Sequence, residues 1–197
     1  MQPTMIDPMR RWECQDGVGF LHDIGIQPGD RVVDFGCRVG HYSIPAAFVV
    51  GHSGTVYALD QYQSPLDQLI EKAKEYGLSN IRTIRTPGQV RMDIASHTID
   101  VVLLYDVLHY FMPGDRRRLY EEAGRVLAPT GLLSVYPKHT VEDVPAKEFA
   151  ETSLSDVERE IQILGFEPDG RWDAVMSHDD GLEHGCVLNF RKQRRIW

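Results

Sequence analysis

A mainly parallel α/β sheet is predicted by three features of the sequence. Short apolar runs alternate with segments of helical periodicity, the pattern of strands joined by right-handed crossovers. One run, Val101 to Leu104, is apolar on both faces, as a strand covered by helices on both sides requires. After the last helical segment come two strand candidates separated only by a loop, which suits a closing antiparallel pair.

The strands read in order. "RVVDFGC" is a compact apolar run ending at a turn, and "TVYALDQ" is the second candidate. "NIRTIRT" alternates in character. "TIDVVLLYDVLHY" contains the fourth strand and "GLLSVYP" is the fifth. "RWDAVM" and "CVLNFRK" are the late pair, joined by "SHDDGLEHG".

Helices fit between them. In "SPLDQLIEKAKEYGL", Ser64 is the expected N-cap and Pro65 the first helical residue. Leu66, Leu69, Ile70 and Ala73 form its inner face and Gly77 closes it. In "GDRRRLYEEAGRVLAPTG", Leu119, Ala123 and Val126 face inward and Pro129 stops the helix. In "SLSDVEREIQILGF", Leu154, Val157, Ile161 and Leu164 share a face that ends at Gly165.

The chain of 197 residues suits a single domain over 1–197 with one large core. Its net charge of -8 disfavours a nucleic-acid backbone as partner. The tail "RKQRRIW" is a local basic exception, read as a solvated end. The polar, proline-broken N-terminus does not read as a signal peptide, and no apolar run approaches the roughly 20 residues of a membrane span. Cys14, Cys37 and Cys186 are far apart and form no CxxC pair, so a reduced, cytoplasmic setting is expected.

In open parallel sheets, ligands sit beyond the carboxyl ends of the strands. The turn after the first strand is therefore the first candidate site. Gly36 and Gly40 allow close backbone approach. Asp34, at the strand's end, would repel a pyrophosphate but suits an ammonium- or sulfonium-bearing ligand. Asp60 ends the second strand, where a carboxylate can accept from both hydroxyls of a ribose.

These segments together resemble the class I S-adenosylmethionine-dependent methyltransferases, in the broad group similar to quinone-biosynthesis enzymes. "VVDFGCRVG" resembles the family's first motif and "VYALD" its second; "IDVVLLYDVLHYF" and "LYEEAGRVLAPTGLLSV" resemble the segments around its fourth and fifth strands. The resemblance implies a Rossmann-like three-layer αβα sandwich. Its sheet would have seven strands in the order 3-2-1-4-5-7-6, with strand 7 antiparallel.

The resemblance also implies roles. Asp34 would act through its turn on the methionine amino group. Gly36, Cys37 and Gly40 would give backbone approach to the methionine end and the ribose. Asp60 would hold the ribose hydroxyls, Gln61 would flank the adenine, and Tyr105 would line the methyl-donor pocket. Arg38 stands where the family's motif has its middle glycine, and is expected to point its side chain away from the cofactor. At the place where members often carry an acid for the adenine amino group, this chain has Gly88 or Gln89. The Gln89 side chain and the Val90 backbone are the expected replacements.

The acceptor is expected to be a small organic molecule, bound by a monomer or homodimer with no membrane or nucleic-acid partner. The turn from Gly36 to Gly40 is not the GxGxxG of a nicotinamide enzyme. "YDVL" stands where nucleic-acid amino-methylating enzymes carry an Asn/Asp-Pro-Pro-Tyr signature. His109 reads as a base or as a packed histidine beside the cofactor. His178, Asp179, Asp180, Glu183 and His184 are metal-ligand types at no standard spacing, so no metal site is expected; His184 remains a candidate for facing the substrate. Residues 1–20 form an N-terminal arm whose Trp12 either folds over the pocket as a moving cover or pins the arm to the core. The alternative to an enzyme is a degenerate or regulatory protein that binds S-adenosylmethionine or S-adenosylhomocysteine without turnover.

Overall fold

The computed structural model describes residues 7–88 and 90–192. Its seven strands are β1 (Arg31–Phe35), β2 (Thr55–Asp60), β3 (Ile81–Arg85), β4 (Ile99–Tyr105), β5 (Leu127–Tyr136), β6 (Phe166–His178) and β7 (Gly181–Lys192). They form one sheet in the order β3-β2-β1-β4-β5-β7-β6, with β7 antiparallel to both β5 and β6. The other pairings are parallel. This is the Rossmann-like order that the family resemblance implies.

Alternation along the central strands divides the core between two faces. Val33, Phe35, Val102 and Leu104 join one cluster with α5 (Pro113–Val126) and α6 (Leu154–Gln162). Val32, Val101, Leu103 and Tyr105 face the opposite layer, which contains α1 (Pro8–Arg11), α2 (Gly17–Asp23) and α3 (Ser43–Val50). Helix α4 (Gln63–Glu75) seals the second face through Leu66, Leu69 and Ala73, packed with Ile44 and Ala58.

Several local expectations shift. Helix α4 starts before Ser64: Tyr62 is its N-cap and makes no side-chain cap, while Pro65 sits within the first turn, where a missing N–H is harmless. Gly77 does close it, at φ 67°. Pro129 lies within β5, not in a loop, because that strand begins directly after α5 with an irregular register against β4. Helix α6 carries a capping box between Ser153 and Asp156, absent from the sequence reading.

The largest differences are at the two ends. The late strands run for 13 and 12 residues, so "SHDDGLEHG" is mostly paired strand rather than a long loop. Its turn is only Asp179 and Asp180, with Asp179 at φ 49°. The N-terminal arm is helical from Pro8 to Asp23, with a π-turn at Trp12–Asp16 linking α1 to α2. Among the described residues, no helix is long and apolar enough to cross a membrane.

Candidate active site

The carboxyl ends of β1, β2 and β4 converge with the tip of the β6–β7 hairpin. Asp34 is buried and points towards α3, where Ser43 Oγ donates to its Oδ2 at 2.5 Å. Burial pushes its carboxyl up to about 6, against the opposing pull of the Ser43 hydrogen bond. Asp60 ties two turns together: Oδ2 accepts from the Arg38 backbone N–H and Oδ1 from that of Tyr62, both at 2.9 Å.

Two glycines in the first turn are required sterically. At Gly36, φ is 79° and a Cβ would stand 2.8 Å from Val107 Cγ2. At Gly40 a Cβ would collide with Leu69 of α4. Arg38 also has a left-handed backbone, φ 47°, so it adopts the conformation usually given to glycine. Its side chain leaves the turn, and Nη1 donates to Asp179 Oδ1 at 2.9 Å at the hairpin tip.

Beyond the β2 end, Gln61 is exposed, and its Oε1 lies 3.2 Å from where a Gly88 Cβ would sit. Val90 is half-buried against the core. Gln89 lies outside the described residues. The Cys37 side chain is sealed among Ile44, Leu66 and Leu69, and burial pushes its thiol well above the ordinary value. Only its backbone is left to the turn.

Tyr105 is buried on the α3 face of the sheet, the face to which Asp34 also turns. Its hydroxyl shares a 2.7 Å hydrogen bond with Ser134 Oγ, and its ring meets that of Tyr42 edge-on at 4.7 Å. Strand alternation sends it to the α3 face, leaving the next residue, Asp106, at the strand end. Asp106 takes φ 53° and accepts at Oδ2 from His178 Nδ1 at 2.7 Å. Burial raises its carboxyl pKa, and the neighbouring His178 opposes that rise.

His109 is 2% exposed. Burial pushes its pKa down to about 3, and His139 and Lys147 add to that effect. A neutral imidazole so weakly basic is a poor proton acceptor near neutrality, which favours the packed role over the base. Its ring packs on Tyr110 at 4.0 Å and on His139 at 4.5 Å between centroids. Asp106, His139 and the pairing of Asp106 with His178 were not found from sequence. A carboxylate at the carboxyl end of a central strand was the available signal, as it was for Asp34 and Asp60.

His184 is exposed on β7. It lines a cleft of about 280 Å³ with Tyr136, Arg171 and Asp173, beside the strand-end cluster rather than within it.

Trp12 is 1% exposed, as a clasp and a closed cover both require. Its Nε1 donates to the His41 carbonyl at 2.9 Å, and its ring meets Tyr42 edge-on at 5.8 Å. The adjacent Glu13, also buried, accepts from Lys72 Nζ at 2.6 Å and Tyr76 Oη at 2.9 Å and pairs with His41 Nδ1 at 2.9 Å. Burial would raise the Glu13 pKa, but these partners outweigh it and leave it lowered. The arm thus locks onto the residue following the first motif.

Comparison with known proteins agrees with this architecture. A crystal structure of a SAM-dependent methyltransferase from Aquifex aeolicus superposes with TM-score 0.76 over 94% of this chain and 93% of its own, at 21% identity, a likeness of fold. A probable cobalt-precorrin-6B C(15)-methyltransferase from Saccharolobus solfataricus is 28% identical over 85 residues, 43% of each chain. A carboxy-S-adenosyl-L-methionine synthase from Klebsiella pneumoniae is 25% identical over 149 residues, 72% of this chain and 57% of that protein. The chain therefore spans about half the length of these curated relatives. The methyltransferase-domain family model matches residues 32–131, just over half of the sequence and the whole stretch from β1 into β5, and the chain belongs to that family.

Proposed function

We propose that this protein transfers a methyl group from S-adenosylmethionine to a small organic acceptor. The reading rests on one observation above all: two carboxylates, Asp34 and Asp60, lie at the carboxyl ends of adjacent parallel strands, beside a turn in which Gly36 and Gly40 take left-handed φ with no room for a Cβ. The residues present fit the cofactor. Asp60 would accept from the ribose hydroxyls, since each of its oxygens has lone-pair capacity beyond its one backbone partner. Asp34 would act through its turn on the amino group, with the backbone of Gly36 and Cys37 alongside. Gln61 would flank the adenine, and the Val90 backbone would receive its amino group.

The bound cofactor would supply a methyl group on a sulfonium, already an activated leaving group. The chain's part is then to orient the acceptor and exclude water, and alignment alone supplies much of such a rate. Support for a small, partly apolar acceptor comes from the rim beside His109. Tyr110, Met112 and Val144 are exposed there, with Lys147 Nζ 3.4 Å from the Tyr110 ring centroid. The net charge of -8 speaks against a nucleic-acid substrate.

Calorimetry with S-adenosylhomocysteine tests the cofactor site. Asp60→Ala removes up to two charge-assisted hydrogen bonds of about 1.5–3 kcal/mol each, so affinity should fall at least about tenfold. Unchanged affinity in a folded variant would put the ligand elsewhere. Radiolabelled methyl donor against a panel of small acceptors then tests turnover; tight binding with no acceptor methylated would favour the regulatory reading.

A further inference from the structure

We propose that Asp106, His109 and His139 bind a divalent transition-metal ion through two imidazoles and one carboxylate. A ligand atom from each residue lies within 4.8 Å of the others. The side chains come from two places: Asp106 and His109 follow β4, and His139 follows β5, the strand paired beside it.

The second observation is an unmet demand for a partner. His109 is 2% exposed, and its Nδ1 is buried with no hydrogen bond among the described residues. It faces Asp106 Oδ1 at 3.5 Å, an oxygen that is likewise buried and without a hydrogen bond. Two such atoms side by side are rare in a folded interior, because each costs about 1–3 kcal/mol when left unsatisfied. A cation between them would satisfy both.

The remaining atoms are arranged as supports. His178 Nδ1 holds Asp106 Oδ2 at 2.7 Å, which fixes the carboxylate and leaves Oδ1 turned to His109. His139 Nδ1 lies 2.9 Å from the Val144 carbonyl, which can only accept. Nδ1 therefore carries the proton and Nε2 is left with a lone pair for a ligand. Orientation of a ligating histidine by a backbone carbonyl, and of a ligating carboxylate by a second hydrogen bond, is the usual outer shell of a metal site. Asp106 also holds a left-handed φ of 53°, a strained conformation of the kind that collects at functional sites.

The donor set selects the ion. Imidazole with carboxylate suits zinc, iron(II), cobalt(II), nickel(II) or manganese(II) rather than a soft thiolate-seeking ion or calcium. Three protein ligands leave coordination positions for an exchangeable group. Beside the strand ends, the group that fits is an oxygen or nitrogen donor on the acceptor, a role that rests on the methyl-transfer reading. The metal site itself does not.

The test uses the tag-free full chain, treated with chelator and dialysed, then titrated with zinc(II) or cobalt(II). One ion per chain is expected, with cobalt absorption bands typical of nitrogen and oxygen ligation. His139→Ala, at a half-buried position, and Asp106→Asn should each weaken uptake at least about tenfold, as should His178→Gln through orientation alone. His52→Ala, an exposed control, should leave uptake unchanged. Thermal melting of each variant checks folding. Absence of stoichiometric uptake, or uptake unchanged in folded His139→Ala and Asp106→Asn proteins, overturns the proposal. S-adenosylhomocysteine binding measured in parallel separates the two readings: metal uptake without nucleoside binding refutes methyl transfer and keeps the metal site, and the reverse result refutes the metal site alone.

Discussion

Arg38 and Asp179 stand 141 positions apart in the chain and meet at 2.9 Å across the mouth of the strand-end site. The contact joins the turn after β1 to the tip of the β6–β7 hairpin. It explains how an arginine occupies a glycine position: the backbone takes the left-handed conformation and the side chain leaves over the surface.

Arg38→Gly should therefore be neutral to slightly stabilising. An exposed ion pair is worth about 0–1 kcal/mol. Relief of a left-handed non-glycine residue returns about 1–2 kcal/mol. Affinity for S-adenosylhomocysteine should be unchanged or improved in calorimetry. A loss above about tenfold would mean that the guanidinium touches the ligand. Asp179→Asn, which keeps a residue type suited to the left-handed φ of 49° there, should remove the charge pairing with Arg38 at a cost of no more than about 1 kcal/mol in the melting curve.

The N-terminal clasp leads to a different expectation. Trp12 is buried and hydrogen-bonded to the backbone just after the first motif, so Trp12→Ala should cost about 3–5 kcal/mol in urea unfolding. With Trp172 and Trp197 replaced by phenylalanine, the remaining emission should resist iodide both before and after S-adenosylhomocysteine is added. Deletion of residues 1–20 should unfold the chain rather than merely slow it. Strong iodide quenching that disappears on ligand addition would restore the moving cover.

Much of the fold could be read because the informative patterns are local. The apolar run through Val101–Leu104 and the stripe Leu66, Leu69, Ala73 each declare one element, and alternation of the two kinds implies the parallel sheet. Asp34 and Asp60 were legible for a similar reason, since each is one of the last two residues of an evident strand. What escaped depends on contacts distant in sequence. Nothing near Trp12 announces its bond to His41, and nothing near Asp106 announces His178, 72 positions later. Nothing near Tyr105 announces that its ring packs edge-on against Tyr42, 63 positions earlier. The hairpin is hidden because "HDDGLEH" is polar, while its pairing is held by backbone bonds to which the side chains are largely irrelevant.

Asp34 yields the sharpest prediction about pH. Its folded pKa is raised to about 6 from an ordinary 3.8, chiefly by burial. Between those values the folded protein keeps a proton that the unfolded chain has released. Stability contributed by this group must therefore fall as pH rises from about 3.8 to about 6, and stay flat above. At about 1.4 kcal/mol per pH unit, the cost approaches 3 kcal/mol at neutral pH. Asp34→Asn removes the titration and can still accept from Ser43 through its amide oxygen. In urea unfolding, Asp34→Asn should be as stable as the parent near pH 4 and more stable by about 1–3 kcal/mol at pH 7.5. It should also bind S-adenosylhomocysteine more weakly at pH 7.5, because the carboxylate charge is what suits an ammonium group. A variant clearly less stable than the parent at pH 7.5 would mean that the Asp34 carboxylate is stabilised by its surroundings rather than strained by them. Holding that charge ready for a ligand would then cost the fold nothing.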